Sequence, residues 1–249
     1  MGKINYGIQL YTVRDALGQD FKGTVKSLAK LGYQGLEFAW NYGGMEPAEL
    51  AAFLKEHKLQ CCGLHTSLEK LLDPANADYA YAVALGSPCV TISLCGSLEK
   101  DLKGMVAKVT EGAKIAKGKG LVFTYHNHAQ EFAKIDGAYV LDLFYQATDP
   151  ALVQAEIDTY WVKKGGEDPV SYIKKYSGRI PQLHFKDMNP ETGSFAELGT
   201  GCVDFPGVLE VARKGGTKWV IYEQDSTAPN APLDSAAISA KNMLKLLKS

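Results

Sequence analysis

Hydrophobic and polar positions along the chain fall into two alternating rhythms. Runs rich in β-branched and aromatic residues recur at 4–13, 34–40, 60–67, 88–94, 121–128, 152–162, 180–188 and 219–225, and each has the composition of a strand. Each then gives way to helical spacing. In FKGTVKSLAKLGY, Phe21, Val25, Leu28, Ala29 and Leu31 share one side, and the stretch closes at a glycine-bearing stop. The segments EPAELAAFLKEHKL, LEKDLKGMVAKVTEGAKIAKGKG, GAYVLDLFYQAT, DPVSYIKKYSG, FPGVLEVARKGG and LDSAAISAKNMLKLLKS behave alike, whereas PANADYAYAVALGS is Ala-rich and only loosely periodic.

Strict alternation of strand and helix predicts parallel strands with helical crossovers. Eight such units in 249 residues match the α/β class and a (β/α)8 barrel; open doubly wound sheets have about five or six strands. No phosphate-cradling glycine motif follows any strand. No linker or low-complexity segment divides the chain, so residues 1–249 are expected to form one domain.

Composition narrows the function. With 27 basic and 28 acidic residues and a net charge of −1, the chain has no electrostatic footprint for nucleic acid or an anionic membrane. No apolar run approaches the roughly eighteen residues of a membrane span. The opening MGKINYGIQLYTV runs straight into a strand without the apolar core of a signal peptide. A cytoplasmic location is expected, or a periplasmic one if a leader preceded the Met-Gly. Five cysteines, two of them adjacent, fit neither a disulfide framework nor a CxxC metal pair, and read as small buried hydrophobes.

In such barrels chemistry sits where strands run out at their C-terminal ends. Titratable residues gather there: Glu37, His65, His126, His128, Glu131, Glu156, Asp158, His184, Lys186, Asp187, Glu223 and Asp225. Four of the five histidines are at strand ends and only His57 lies in a helix, where about one would be expected by chance if rim positions are roughly a fifth of the chain. Alternation places His126 with His128, Glu156 with Asp158, His184 with Lys186 and Glu223 with Asp225 on the inward face. Carboxylates crowded together repel unless a cation neutralises them. Asp158, His184, Glu223 and one strand-5 carboxylate would suit one divalent ion, Mn²⁺, Mg²⁺, Co²⁺ or Zn²⁺; the alternative is an ion-paired network closed by Lys186 without metal.

The stretches GIQLYTVRD, GLEF, LHTS, YHNHAQEF, EIDTYWV with GGEDPVSYIKKYSGRI, HFKD, LGTGCVDFPGVL and YEQD resemble, in order and over essentially the whole chain, the xylose-isomerase-like TIM barrels. That superfamily includes sugar phosphate isomerases and epimerases, inosose dehydratases, hydroxypyruvate isomerases and, more distantly, endonuclease IV. The resemblance implies one divalent metal held by a Glu after strand 5 and by groups matching Asp158, His184 and Glu223. For strand 5 it offers Glu131, the favoured ligand, or a histidine in its place. Thr200 stands where many relatives have the acid of a G-E-G, with Glu197 as its substitute.

The resemblance further implies proton transfer through an enediolate of a ketose or keto-sugar. Glu131 and Glu223 would remove and return the proton, His126 would act as acid or base, and Lys186 would stabilise negative charge. Glu37, His65 and His128 would hold substrate, with Trp40, Tyr11 and Trp161 offering apolar faces to a ring; Trp219 belongs to packing at the opposite rim. The partner is a small-molecule sugar, and homo-oligomerisation stays open. A metal-dependent dehydratase on a keto-inositol or keto-sugar uses the same apparatus. A non-catalytic carbohydrate-binding barrel is the reading from another class. An endonuclease IV-like nuclease is disfavoured for want of extra zinc ligands and a basic face.

Overall fold

Strands that are apolar on both sides need cover on both sides, and a parallel barrel wrapped in helices supplies it. In the computed structural model, which describes residues 3–248, the strands are Asn5–Gln9 (β1), Gly35–Ala39 (β2), Gln60–His65 (β3), Cys89–Ile92 (β4), Val122–His126 (β5), Val153–Asp158 (β6), Gln182–Phe185 (β7) and Trp219–Tyr222 (β8). Each pairs in parallel with its sequence neighbours, and β8 closes on β1 with Tyr6 opposite Val220 and Ile8 opposite Tyr222. The expected (β/α)8 barrel is therefore present. Met1, Gly2 and Ser249, which enter the readings of the N-terminus and of the domain's extent, lie outside the described residues.

The main helices following the strands are Phe21–Lys30 (α1), Pro47–Glu56 (α2), Ala77–Ala84 (α3), Leu102–Gly118 (α4), Val140–Gln146 (α5), Pro169–Lys175 (α6), Phe205–Gly215 (α7) and Pro232–Lys248 (α8). Aspartates open several of them: Asp20, Asp101, Asp168 and Asp204 each accept a backbone N–H from the first turn. No helix among the described residues is long and apolar enough to cross a membrane.

The strands are shorter than the hydrophobic runs that announce them, because caps begin inside those runs. Residues 10–13 form a 3₁₀ turn, and Asp158 ends β6 while capping a short helix, Thr159–Lys164, through Trp161 N–H at 2.9 Å. The run 180–188 splits into β7 and a two-residue strand, Asp187–Met188, paired antiparallel with Phe195–Ala196.

The floor of the barrel is apolar. Trp219, Cys62 and Ile221 form their own buried cluster, and Gly35 makes room for it, since a Cβ there would lie 2.6 Å from the indole ring. The register between β2 and β3 shifts after Leu36, leaving Cys62 without an opposite residue, which is a β-bulge. Gly63 then faces Glu37, where a Cβ would come within 2.3 Å of the carboxylate. The bulge thus resets alternation so that His65 also points inward.

Candidate metal and substrate site

Above the apolar floor, inward positions carry polar groups in two tiers. In the lower tier, Glu37 Oε2 accepts from Gln9 Nε2 at 2.8 Å and lies 2.6 Å from His184 Nε2, while its Oε1 accepts from Gln182 Nε2 at 2.9 Å. Glu156 Oε1 lies 2.8 Å from His65 Nε2 and 2.9 Å from His184 Nε2. Its Oε2 accepts from Thr91 at 3.1 Å and also from Gln182. Two dry carboxylates so close would repel, and the imidazoles between them hold both in place. Burial opposes a charge on His65, but Glu37 and Glu156 outweigh it and push its pKa to about 10. His184 likewise rises well above the usual range against its burial, through Glu156, Glu37 and Glu223. Burial opposes ionisation of Glu156 too, and His184 and His65 hold it well below the carboxylate range.

The upper tier joins the ends of β5 to β8. His126, Asp158, His184 and Glu223 each bring one donor atom into a group whose members lie within 4.8 Å of one another, all four side chains being buried. Asp158 spends Oδ1 on its helix cap and turns Oδ2 to His126 Nε2 at 3.3 Å. His184 Nδ1 meets Glu223 Oε2 at 2.9 Å, while its Nε2 is fixed by the lower-tier carboxylates. A carboxylate on one imidazole nitrogen is the usual way to aim the other at a metal. Two imidazoles and two carboxylates suit a borderline divalent ion such as Zn²⁺, Mn²⁺ or Co²⁺, so the donor set fits the expected metal.

Lys186 borders this group. Its Nζ is 2.8 Å from Glu223 Oε2, 3.2 Å from Asp225 Oδ1 and 3.3 Å from Asp158 Oδ2, and the rings of Trp161 and Phe195 lie 5.3 and 5.6 Å away. Burial opposes the ammonium, but Asp158, Glu223 and Asp225 raise its pKa far enough to keep it charged. Burial also works against charge on Asp158 and Glu223, which Lys186 and neighbouring imidazoles hold below the usual range. Asp225 moves the other way, raised by burial and then by Glu223. A cavity of about 380 Å³ opens above, lined by His65, His126, His128 and Glu223 within and by Tyr11 and Trp40 at the mouth. Burial, then His126 and Lys186, pull the His128 pKa down to about 3.

Several expected site residues lie elsewhere. Glu131 is buried but faces away from the four donors: Tyr125 O–H donates to its Oε1 at 2.7 Å and His128 N–H to its Oε2 at 2.9 Å. Tyr125 belongs to the helix-facing layer and packs on Phe144, so Glu131 braces the loop behind β5, and from strand 5 it is His126 that comes together with Asp158, His184 and Glu223. Glu37 is fully buried beneath His184 and does not line the cavity. Glu197 does not stand in for the missing acid: its Oε1 accepts from Ser235 at 2.7 Å and Asn230 at 2.9 Å. Asp187 organises that loop, taking N–H groups from Met188, Gly199, Gly201 and Val203 at 2.8–3.1 Å. Trp161 packs against His128 with ring centroids 5.2 Å apart. Of the cysteines, Cys61, Cys62 and Cys89 are buried as expected, but Cys202 is only half-buried and Cys95 is exposed. Its thiol lies 3.6 Å from His128 Nδ1.

Gln9 and Gln182 share the inward parity and donate to Glu37 and, for Gln182, Glu156, a role that titratable residues alone do not reveal.

A profile of the xylose isomerase-like TIM barrel family matches residues 25–246. The chain belongs to that family. Among curated proteins, this xylose isomerase-like barrel is 24% identical to an inosose dehydratase of Clostridium beijerinckii over 165 residues, 59% of this chain and 55% of that protein. The chain thus spans about half the length of the curated relatives it matches. Among solved structures, a sugar phosphate isomerase/epimerase of Parabacteroides distasonis aligns with a TM-score of 0.80 at 22% identity, covering 97% of this chain and 93% of that one. An IolI protein with a bound zinc atom aligns at 0.76 and 15% identity, covering 98% of both chains. These structural likenesses establish the shared fold.

Proposed function

We propose that this xylose isomerase-like barrel is a divalent-metal-dependent sugar isomerase or epimerase, which removes the hydrogen next to the carbonyl of a ketose or keto-sugar. The observation that carries this reading is the convergence of His126, Asp158, His184 and Glu223, two of which, His126 and Glu223, line a cavity wide enough for a sugar while Asp158 and His184 lie buried directly behind them. A divalent ion held by these four groups would polarise the carbonyl and so acidify the neighbouring C–H, whose proton Glu223, lining the cavity, would accept. His65 and His128, both lining the cavity, would hold substrate hydroxyls. Lys186 keeps a positive charge beside the site, where it offsets negative charge developing on the substrate oxygens. Glu37 and Glu156 orient His184 from below.

Dehydration of a keto-cyclitol or keto-sugar is the second reading, and the placement of Glu131 favours it. Return of a proton by a second carboxylate on the strand-5 side requires one there, and Glu131 is tied to Tyr125 and His128. Loss of a β-hydroxyl after the same deprotonation needs no acid on the opposite face, since the group that took the proton would hand it to the departing hydroxyl, which leaves as water. The curated inosose dehydratase supports this outcome as well.

The test is turnover of a panel of ketoses and keto-cyclitols by metal-loaded and chelator-stripped protein, with products read by NMR. Epimeric or aldose products requiring metal support the leading reading, and metal-dependent unsaturated products the second. No metal-dependent product across the panel would overturn both and leave the carbohydrate-binding barrel.

A further inference from the structure

The cavity has a second end that the chemistry above does not use. Trp40 follows β2 with 56% of its surface exposed, and Tyr11 follows β1 with 37% exposed, among the few large hydrophobics open to solvent. Trp40 adopts φ +58°, a left-handed conformation that a bulky residue rarely takes without a constraint or a use. The two rings meet edge to face with centroids 6.4 Å apart. Arg14 lies over the other partner, its Cζ 4.2 Å from the Tyr11 ring centre, and its guanidinium is fixed by the carbonyls of Tyr11 at 2.8 Å and Asp225 at 3.1 Å. The result is a braced aromatic platform continuous with the cavity that reaches His126 and Glu223.

Charge at this cavity disfavours anions. Its described lining holds no lysine or arginine, Glu223 adds negative charge, and the one lining imidazole held charged, His65, is spent on Glu37 and Glu156 at 3.4 and 2.8 Å. The Lys186 ammonium is shared among three carboxylates, and Arg14 is committed to backbone carbonyls.

Resting on the proposed function, we infer that the substrate is an uncharged keto-sugar carrying a second, glycosidically attached ring that stacks on Trp40 while the reacting ring occupies the inner cavity. Aromatic faces recognise the C–H face of a sugar ring without regard to charge, and the platform is the part of the cavity that a monosaccharide seated at the inner end leaves free.

Three probes sharing a fructose unit test this by calorimetry on the metal-loaded protein: fructose, isomaltulose and fructose 6-phosphate. Isomaltulose should bind about tenfold more tightly than fructose, about 1.4 kcal/mol, and fructose 6-phosphate more weakly than fructose. In Trp40→Ala the ratio of isomaltulose to fructose affinity should fall to about one, and Trp40→Phe should restore most of it. Fructose binding with no gain for isomaltulose, or a gain that survives Trp40→Ala, overturns the second-ring subsite and leaves the keto-sugar reading intact. Tighter binding of fructose 6-phosphate overturns the uncharged substrate. Binding of none of the three sinks the inference together with the reading beneath it. Sedimentation of the same samples covers the other occupant: a dimer lost in Trp40→Ala assigns the face to a second copy of the chain and overturns the subsite.

Discussion

Replacing Glu131 by Gln separates a brace from a ligand. Both oxygens of this 1% exposed side chain accept hydrogen bonds inside the loop after β5, from Tyr125 O–H at 2.7 Å and His128 N–H at 2.9 Å. Glutamine keeps the shape and one acceptor, so the bond from His128 N–H becomes neutral and the one from Tyr125 O–H gives way to a neutral bond that the amide N–H donates to the hydroxyl oxygen. A hydrogen bond to a charged group contributes about 1.5–3 kcal/mol and a neutral one about 0.5–1.5 kcal/mol, so the two exchanges together cost about 2 kcal/mol. For a chain of 249 residues, each kcal/mol corresponds to roughly 2–4 °C, which gives a fall in Tm of about 4–8 °C by calorimetry. Metal affinity, measured by competition with a chromophoric chelator, should stay within about twofold of the parent, because neither oxygen faces the cluster. His126→Ala should behave in the opposite way, losing at least about tenfold in metal affinity through removal of a donor. A Glu131→Gln protein that loses its metal while keeping its Tm, or a His126→Ala protein that keeps the metal, would refute the assignment of the strand-5 position.

Three other outcomes follow from the packing. Gly35→Ala drives a Cβ to 2.6 Å from the Trp219 ring and should cost about 1–3 kcal/mol in denaturant unfolding; a neutral effect would mean that the floor is loosely packed. Asp142 accepts from Lys175 Nζ at 2.6 Å and Tyr172 O–H at 2.8 Å, and despite the opposing effect of burial these partners, with Tyr176, lower its pKa. Its contribution is therefore present above the unfolded value of about 4 and lost as pH falls through the lower folded value, so Asp142→Asn should be about 1–3 kcal/mol less stable at neutral pH, the gap closing in acid; a pH-independent gap would contradict this. An aromatic disulfide reagent should modify exposed Cys95 first, whereas buried Cys61, with its thiol pushed up to about 12, Cys62 and Cys89 should react only after unfolding; early reaction of any of those three would show that the barrel opens.

Much of this arrangement is legible in residue order. Alternation of the two rhythms gives the barrel, and inward parity at strand ends brings Asp158, His184, Glu223 and His126 into one list, because a strand leaves its side chains two directions only. Parity stops where the strand stops. Glu131 lies five residues beyond the last residue of β5, and whether a loop carboxylate folds toward the axis or toward the helices depends on hydrogen bonds that no periodicity encodes. Strand 3 hides a bulge at Cys62, so its alternation cannot be counted through. Cys95 gives no sign in the sequence that its backbone turns to φ +40° and presents the thiol to the cavity. The early start of the helix after β6 was readable, since Asp158 precedes Thr-Tyr-Trp-Val as a capping aspartate should, yet the apolar run obscured it.

Exchange of the α-hydrogen of a bound keto-sugar with deuterated water tests the proposed chemistry most directly, because it reports deprotonation whether the proton returns or a hydroxyl leaves. Metal-loaded protein should wash deuterium into unreacted substrate or product, chelator treatment should abolish the exchange, restored metal should recover it, and the Asp158→Ala and His184→Ala proteins should show none. Exchange that survives chelation and both substitutions would contradict the metal-assisted site, and its absence from the loaded protein across keto-sugars and keto-cyclitols would contradict enolisation itself.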